Sequence, residues 1–141
     1  MKKSITFTYR PSLTTDDCFR TAIANMLQIN PKKVPHFYKI HGETGYIKES
    51  IKWLNKHGKS MVYVPIGALL HSYGMDSNNN NNIYPQGFCI AIFNGDGVGH
   101  VELLYNGKLQ IGDSQLNKIY KSIEGYFIIY DLIPWGKNKK I

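Results

Sequence analysis

The chain has 141 residues, of which 43% are hydrophobic and 19% are charged, and its formal net charge is +7. This length fits a single domain over residues 1–141, and the composition excludes a largely disordered chain. No apolar run approaches the ~18 residues that a membrane-spanning helix needs. Since the first residues alternate in polarity and show no signal-peptide pattern, the sequence predicts a soluble, cytoplasmic protein with no membrane partner.

The positive charge is spread thinly, apart from a dense basic tail at about residues 136–141. The only arginines are Arg10 and Arg20, and specific readout of bases and phosphates relies on the arginine fork. The charge therefore favours weak attraction to acidic partners over specific nucleic-acid binding. Two cysteines, Cys18 and Cys89, build no disulfide framework and make a poor zinc site. We expect no metal and no organic cofactor.

Predicted helices dominate the first half of the chain. Residues 4–9 alternate in polarity as in a short strand, and residues 14–17 are four N-cap types in a row. Apolar residues then recur at spacings of three and four, which predicts a helix over Cys18–Leu27 that Asn30-Pro31 ends. The following predicted elements are a short element at 34–40, a helix at 44–56, a strand at 60–64 and a short helix at 66–73.

Predicted strands dominate the last third. Residues 87–93 are a continuous apolar run, typical of a central strand buried on both faces. Asn106-Gly107 is the strongest short hairpin signal and joins predicted strands at 100–105 and 108–113. A further apolar strand is predicted at 126–133. Because helices precede the antiparallel strands, the fold class is α+β, with N-terminal helices packed on a C-terminal antiparallel sheet.

Cys18 is a candidate nucleophile because it falls in the first turn of the predicted helix. Unpaired backbone N–H groups and the positive end of the helix dipole favour a thiolate at this position. The neighbouring Asp17 opposes a thiolate by charge repulsion unless its carboxylate points away. The alternative is an ordinary core position, since cysteine is among the most buried residue types.

The hairpin brings a histidine and a carboxylate together. If Asn106-Gly107 form a type I′ turn, the register places His100 directly opposite Asp113. Opposed residues have Cβ atoms about 4.5–5.5 Å apart, within reach of a carboxylate–imidazole hydrogen bond. In this relation a carboxylate orients a catalytic base. The alternatives are an incidental cross-strand pair, and competition from Glu102, which shares a strand face with His100.

Three segments match a known pattern in type, order and context. They are Thr14-Thr15-Asp16-Asp17-Cys18-Phe19-Arg20-Thr21-Ala22-Ile23-Ala24, Gly99-His100-Val101-Glu102-Leu103-Leu104-Tyr105 and Ile111-Gly112-Asp113. The chain resembles the papain-like cysteine peptidases, and within them the C39-like group of bacteria and their phages. That resemblance implies a papain-like fold and a catalytic triad of Cys18, His100 and Asp113. It also implies a thiol protease or amide hydrolase that acts on a peptide, isopeptide or amide bond of a peptide or protein substrate.

The chain departs from that family before the cysteine. Papain-like enzymes usually carry a Gln there whose amide binds the tetrahedral oxyanion, and residues 11–17 contain none. Ser12, Thr14 or Thr15, or the backbone N–H of Cys18, are the candidate donors in its place. Loss of one oxyanion donor costs roughly 100–1,000-fold in rate. A second hypothesis is therefore a weak or inactive binding module on the same scaffold that sequesters a protein or a small ligand.

Overall fold

The structure is a computed structural model that describes residues 7–14, 16–72, 84–95, 99–110 and 120–133. In these ranges the elements are α1 (Cys18–Leu27), α2 (Phe37–Lys56), β1 (Lys59–Pro65), α3 (Ile66–Ser72), β2 (Phe88–Gly95), β3 (Gly99–Tyr105), β4 (Lys108–Leu109) and β5 (Tyr120–Asp131). A 3₁₀ turn, Pro31–Lys33, lies between α1 and α2. The architecture is α+β, with N-terminal helices packed on an antiparallel sheet, which confirms the predicted class.

The sheet has the order β1-β5-β2-β3-β4 and is antiparallel throughout these pairings. β2 is central because it pairs with β3 on one side and with β5 on the other. Ile90 packs in the core that α1 and α2 cover, whereas Cys89 and Ala91 pack in the core on the opposite face. The uninterrupted apolar run in this segment follows from burial of both its faces.

The turn at Asn106-Gly107 sets the register of the β3–β4 hairpin. Asn106 has φ 49° and Gly107 has φ 79°, and a type I′ turn requires positive φ at both positions. Tyr105 pairs with Lys108, which confirms the predicted register next to the turn. Described β4 has two residues, and the predicted continuation at 111–113 lies outside the described residues.

α2 consists of two helical segments that meet at a kink at Gly42, and the segment after the kink confirms the helix predicted at 44–56. α2 opens at Phe37, where Nδ1 of His36 accepts the N–H of Lys39 at 3.2 Å and caps the helix. Gly42 interrupts the helix with φ 72° and ψ −174°. The segment before the kink starts within the short element predicted at 34–40, and the kink separates it from the helix predicted at 44–56. No helix in the described part of the chain combines the length and hydropathy needed to cross a membrane.

The strand predicted at residues 4–9 is wrong over its described part. Residues 7–9 join no strand of the sheet. Instead, the N–H of Thr8 donates to Oε1 of Gln28 at 2.8 Å, and the carbonyl of Thr8 accepts from Nε2 of Gln28 at 3.1 Å. An alternating pattern indicates extended backbone but does not say whether the hydrogen-bonding partner is a strand or a helix side chain. We call residues 7–14 the N-terminal strap.

Candidate active site

Cys18 is the first residue of α1. Its side chain is half-buried and forms no disulfide, so the thiol is accessible at a helix N-terminus. The N-cap residue Asp17 makes no side-chain capping hydrogen bond. That carboxylate therefore does not accept a hydrogen bond from the N–H groups of the first turn. These groups can bind an anion beside the sulfur.

The carboxylate of Asp17 is fully buried and is held by groups from three segments. Its Oδ2 accepts the N–H of Leu13 at 3.2 Å. Its Oδ1 lies 3.3 Å from Nε2 of His36 and 3.8 Å from Nη1 of Arg20. Because a guanidinium lies this close, it offsets the negative charge and weakens the repulsion that the sequence predicted to act on Cys18.

His100, near the start of β3, lies against Cys18 in the folded chain. The residue is 7% exposed, and its side chain interacts with that of Cys18 where α1 packs on β3. Burial lowers the pKa of His100. The hydrogen bonds to Cys18 and Glu102, together with the charges of those two groups, outweigh burial and raise the pKa to about 9. The imidazole is therefore protonated at neutral pH.

The carboxylate that the structure places on His100 belongs to Glu102. Oε1 of Glu102 lies 2.7 Å from Nε2 of His100, and the two side chains are 13% and 8% exposed. The residues are two apart on β3, so both project from the same side of the strand. Asp113 lies outside the described residues, and its pairing with His100 stays a prediction.

A small crevice beside the thiol lies between α1, β3 and the N-terminal strap. Cys18 and His100 both line it, and the strap contributes Tyr9 and Ser12. The cavity volume is about 20 Å³, which is room for roughly one water molecule. Among the described residues, the crevice thus exposes the sulfur and the imidazole without enclosing a substrate side chain.

Of the predicted oxyanion donors, the structure places Ser12 in this crevice. The hydroxyl of Thr21 donates to Oγ of Ser12 at 3.1 Å, which leaves the hydroxyl hydrogen of Ser12 for another acceptor. Thr14 is exposed and does not line the crevice. Thr15 lies outside the described residues.

Gln110 also lines the crevice, and the sequence interpretation missed it. Its Nε2 donates to the carbonyl of Lys108 at 3.0 Å, and its backbone N–H donates to the carbonyl of Leu103 at 3.1 Å. The hairpin register could have identified Gln110 from the sequence, because its continuation beyond Lys108 places Gln110 opposite Leu103.

Cys89 lies in the core, as expected for a residue of the apolar run 87–93 that predicted a buried strand. It is 0% exposed on β2, and burial raises its pKa to about 12. Its thiol is therefore neutral and shielded at physiological pH, whereas Cys18 faces a protonated imidazole. Within the described ranges, no group of three or more His, Cys, Asp and Glu residues is arranged to hold a metal ion.

No family model, curated protein or solved structure matches the chain.

Proposed function

We propose that the protein is a papain-like, cysteine-dependent hydrolase that cleaves a peptide, isopeptide or amide bond. The observation that carries the proposal is that Cys18, the first residue of α1, and the buried His100 line the same crevice. An accessible thiol at a helix N-terminus, a histidine in contact with it and a carboxylate on that histidine are the components of nucleophilic acyl transfer. The carboxylate predicted from the sequence is Asp113, and Glu102 is the one in contact.

In the proposed reaction, Sγ of Cys18 attacks the carbonyl carbon of the scissile bond while its proton resides on His100. The tetrahedral intermediate carries a negative oxygen, and its donors are the backbone N–H of Cys18 and the hydroxyl of Ser12. His100 gives its proton to the leaving nitrogen as the C–N bond breaks, which leaves a thioester on Cys18. Water then attacks the thioester with His100 as base, releases the carboxylic acid product and restores the thiol.

The proposed substrate is a peptide or protein, and each step uses groups of this chain and water. The net charge of +7 favours weak association with acidic partners. In this proposal the protein acts in the cytoplasm. The small cavity leaves most of a bound chain outside the crevice, so substrate contacts beyond the scissile bond are made across the surface around it.

A binding module on the same scaffold is the second candidate function. The lack of a Gln in residues 11–17 and the cavity of about 20 Å³ favour it. Such a module would hold a protein or small ligand over the crevice without forming a thioester. It predicts an alkylatable Cys18 that never accumulates as an acyl-enzyme.

Intact-mass spectrometry tests the enzyme hypothesis. The native protein is treated at pH 7 with iodoacetamide, and separately with peptidyl electrophiles of several leaving-group classes. We expect one adduct in the wild type and in Cys89→Ser, and none in Cys18→Ala. Equal labelling of Cys18→Ala contradicts the assignment. If iodoacetamide alkylates Cys18 but none of the peptidyl electrophiles forms an adduct, the result favours the binding module.

A further inference from the structure

The contact between Glu102 and His100 is short, buried and local to one strand. The 2.7 Å separation joins Oε1 of the carboxylate to Nε2 of the ring, and both side chains are at least four-fifths buried. Removing a carboxylate from water costs several kcal/mol unless a charged or hydrogen-bonding partner compensates it. His100 is such a partner for Oε1, so removal of either side chain leaves the other without this contact.

The backbone around this pair is constrained by its neighbours. β3 pairs with β2 over seven residues, with His100 opposite Phe93 and Glu102 opposite Ala91. Both side chains leave the same side of a strand that is held in a sheet. β3 and its pairing with β2 therefore fix the backbone positions from which the two side chains meet.

We propose that Glu102 is the residue that positions His100 for the reaction. This inference rests on the proposed function. It assigns to a carboxylate on the histidine's own strand the task that the sequence predicted for Asp113. Glu102 acts through the imidazole and does not contact the reacting carbonyl, so it is a positioning residue.

The contact has a chemical consequence for the ring. When His100 is neutral, a hydrogen on Nε2 donates to Glu102, and Nδ1 is then the basic nitrogen that takes a proton from the thiol. When His100 is protonated, one N–H serves the carboxylate and the other serves the sulfur. Both states of the catalytic cycle thus keep the same ring orientation.

Few other titratable groups share this crevice in the described part of the chain. They are Cys18 from α1, Glu102 from β3 and Tyr9 from the strap. Cys18 and Glu102 both raise the pKa of His100. Removing the charge of Glu102 therefore lowers that pKa from about 9 toward its ordinary value, whereas a purely structural residue elsewhere would leave it unchanged.

The experiment compares Glu102→Gln with Asp113→Asn, using Glu124→Gln on β5 as the matched control for an exposed glutamate. The first readout is the pH titration of the His100 ring by NMR, and the second is the rate of Cys18 alkylation by iodoacetamide at pH 7. We expect Glu102→Gln to lower the pKa of His100 by at least one unit and to slow alkylation roughly ten-fold. The proposal is overturned if Glu102→Gln keeps the wild-type pKa of His100 and the wild-type alkylation rate while Asp113→Asn lowers both.

The wild-type protein supplies a readout that does not depend on how a variant folds. Ring nitrogen chemical shifts above pH 9 report which nitrogen of neutral His100 carries the hydrogen. The proposal requires hydrogen on Nε2, and hydrogen on Nδ1 overturns it. Labelling of Cys18→Ala to the wild-type extent would instead remove the proposed function, so the two failures are distinguishable.

Discussion

Asn25 on α1 and Arg10 on the strap are joined by two hydrogen bonds that satisfy both the backbone N–H and the backbone carbonyl of Arg10. The N–H of Arg10 donates to Oδ1 of Asn25 at 2.7 Å, and Nδ2 of Asn25 donates to the carbonyl of Arg10 at 3.0 Å. The same amide donates to the carbonyl of Thr21 at 2.9 Å. Because Asn25 is 3% exposed, the side chain anchors the strap through a buried polar contact.

We predict that Asn25→Ala destabilises the protein by about 2–4 kcal/mol, since it removes three hydrogen bonds and leaves backbone groups of Arg10 without their partner. Urea denaturation measures the loss. Gln28→Ala is the control, because Gln28 holds Thr8 in the same way at a more exposed position and should cost less. An Asn25→Ala midpoint equal to that of the wild type would show that the strap is not anchored by this amide.

The raised pKa of His100 predicts a pH-dependent contribution to stability. Its folded value of about 9 exceeds its unfolded value of about 6.5, so the folded state holds the proton more tightly. The stabilisation is complete below about pH 6.5 and is lost as the pH rises through 9. The size is on the order of 3 kcal/mol.

The free energy of unfolding of the wild type and of His100→Gln, measured at pH 6, 7.5 and 9.5, checks this prediction. The difference in the free energy of unfolding between the wild type and His100→Gln should decrease steadily as the pH rises across that interval. A constant difference would mean that the imidazole of His100 does not gain its proton on folding.

The two thiols should react at very different rates in the native protein. Cys89 is fully buried and its pKa is raised to about 12 by burial, so it stays neutral and shielded until the chain unfolds. Titration with a chromogenic disulfide should count one fast thiol in the native wild type and two in urea. Cys89→Ser should keep the fast thiol, and a second fast thiol in the native wild type would contradict the burial.

Gly125 on β5 is a site where even one methyl group should be costly. A Cβ built there would lie 2.8 Å from the carbonyl oxygen of Val64 and 2.7 Å from the ring of Tyr63. The carbonyl belongs to the paired strand β1, so it cannot move without disturbing the sheet. We predict that Gly125→Ala destabilises the protein by about 1–3 kcal/mol.

Gly67→Ala is the matched control for this substitution. Gly67 lies in α3, and a Cβ there meets nothing within 4 Å. Alanine is favoured over glycine in a helix by roughly 0.5–1 kcal/mol, so this variant should be neutral or slightly stabilised. In thermal unfolding, the melting temperature of Gly125→Ala should fall below that of the wild type, and that of Gly67→Ala should equal or exceed it. Equal melting temperatures for the two variants would contradict the close approach at Gly125.

The sequence by itself determined the features whose cause is local. N-cap residue types followed by apolar spacing of three and four place the start of α1 at Cys18, because a helix face and its cap are written in consecutive residues. The turn at Asn106-Gly107 sets the hairpin register in the same way, because positive φ at both positions leaves few other turns.

Only the tertiary structure decided which groups meet around the sulfur. Alternation at the start of the chain indicated extended backbone, yet the side chains of Asn25 and Gln28, 15 and 20 residues away, took the place of a strand partner. Glu102 was visible as a neighbour of His100, but its orientation toward the ring depends on burial between elements far apart in the chain. Hydrogen bonds of this kind form where packing excludes water, and that exclusion is a property of the assembled fold.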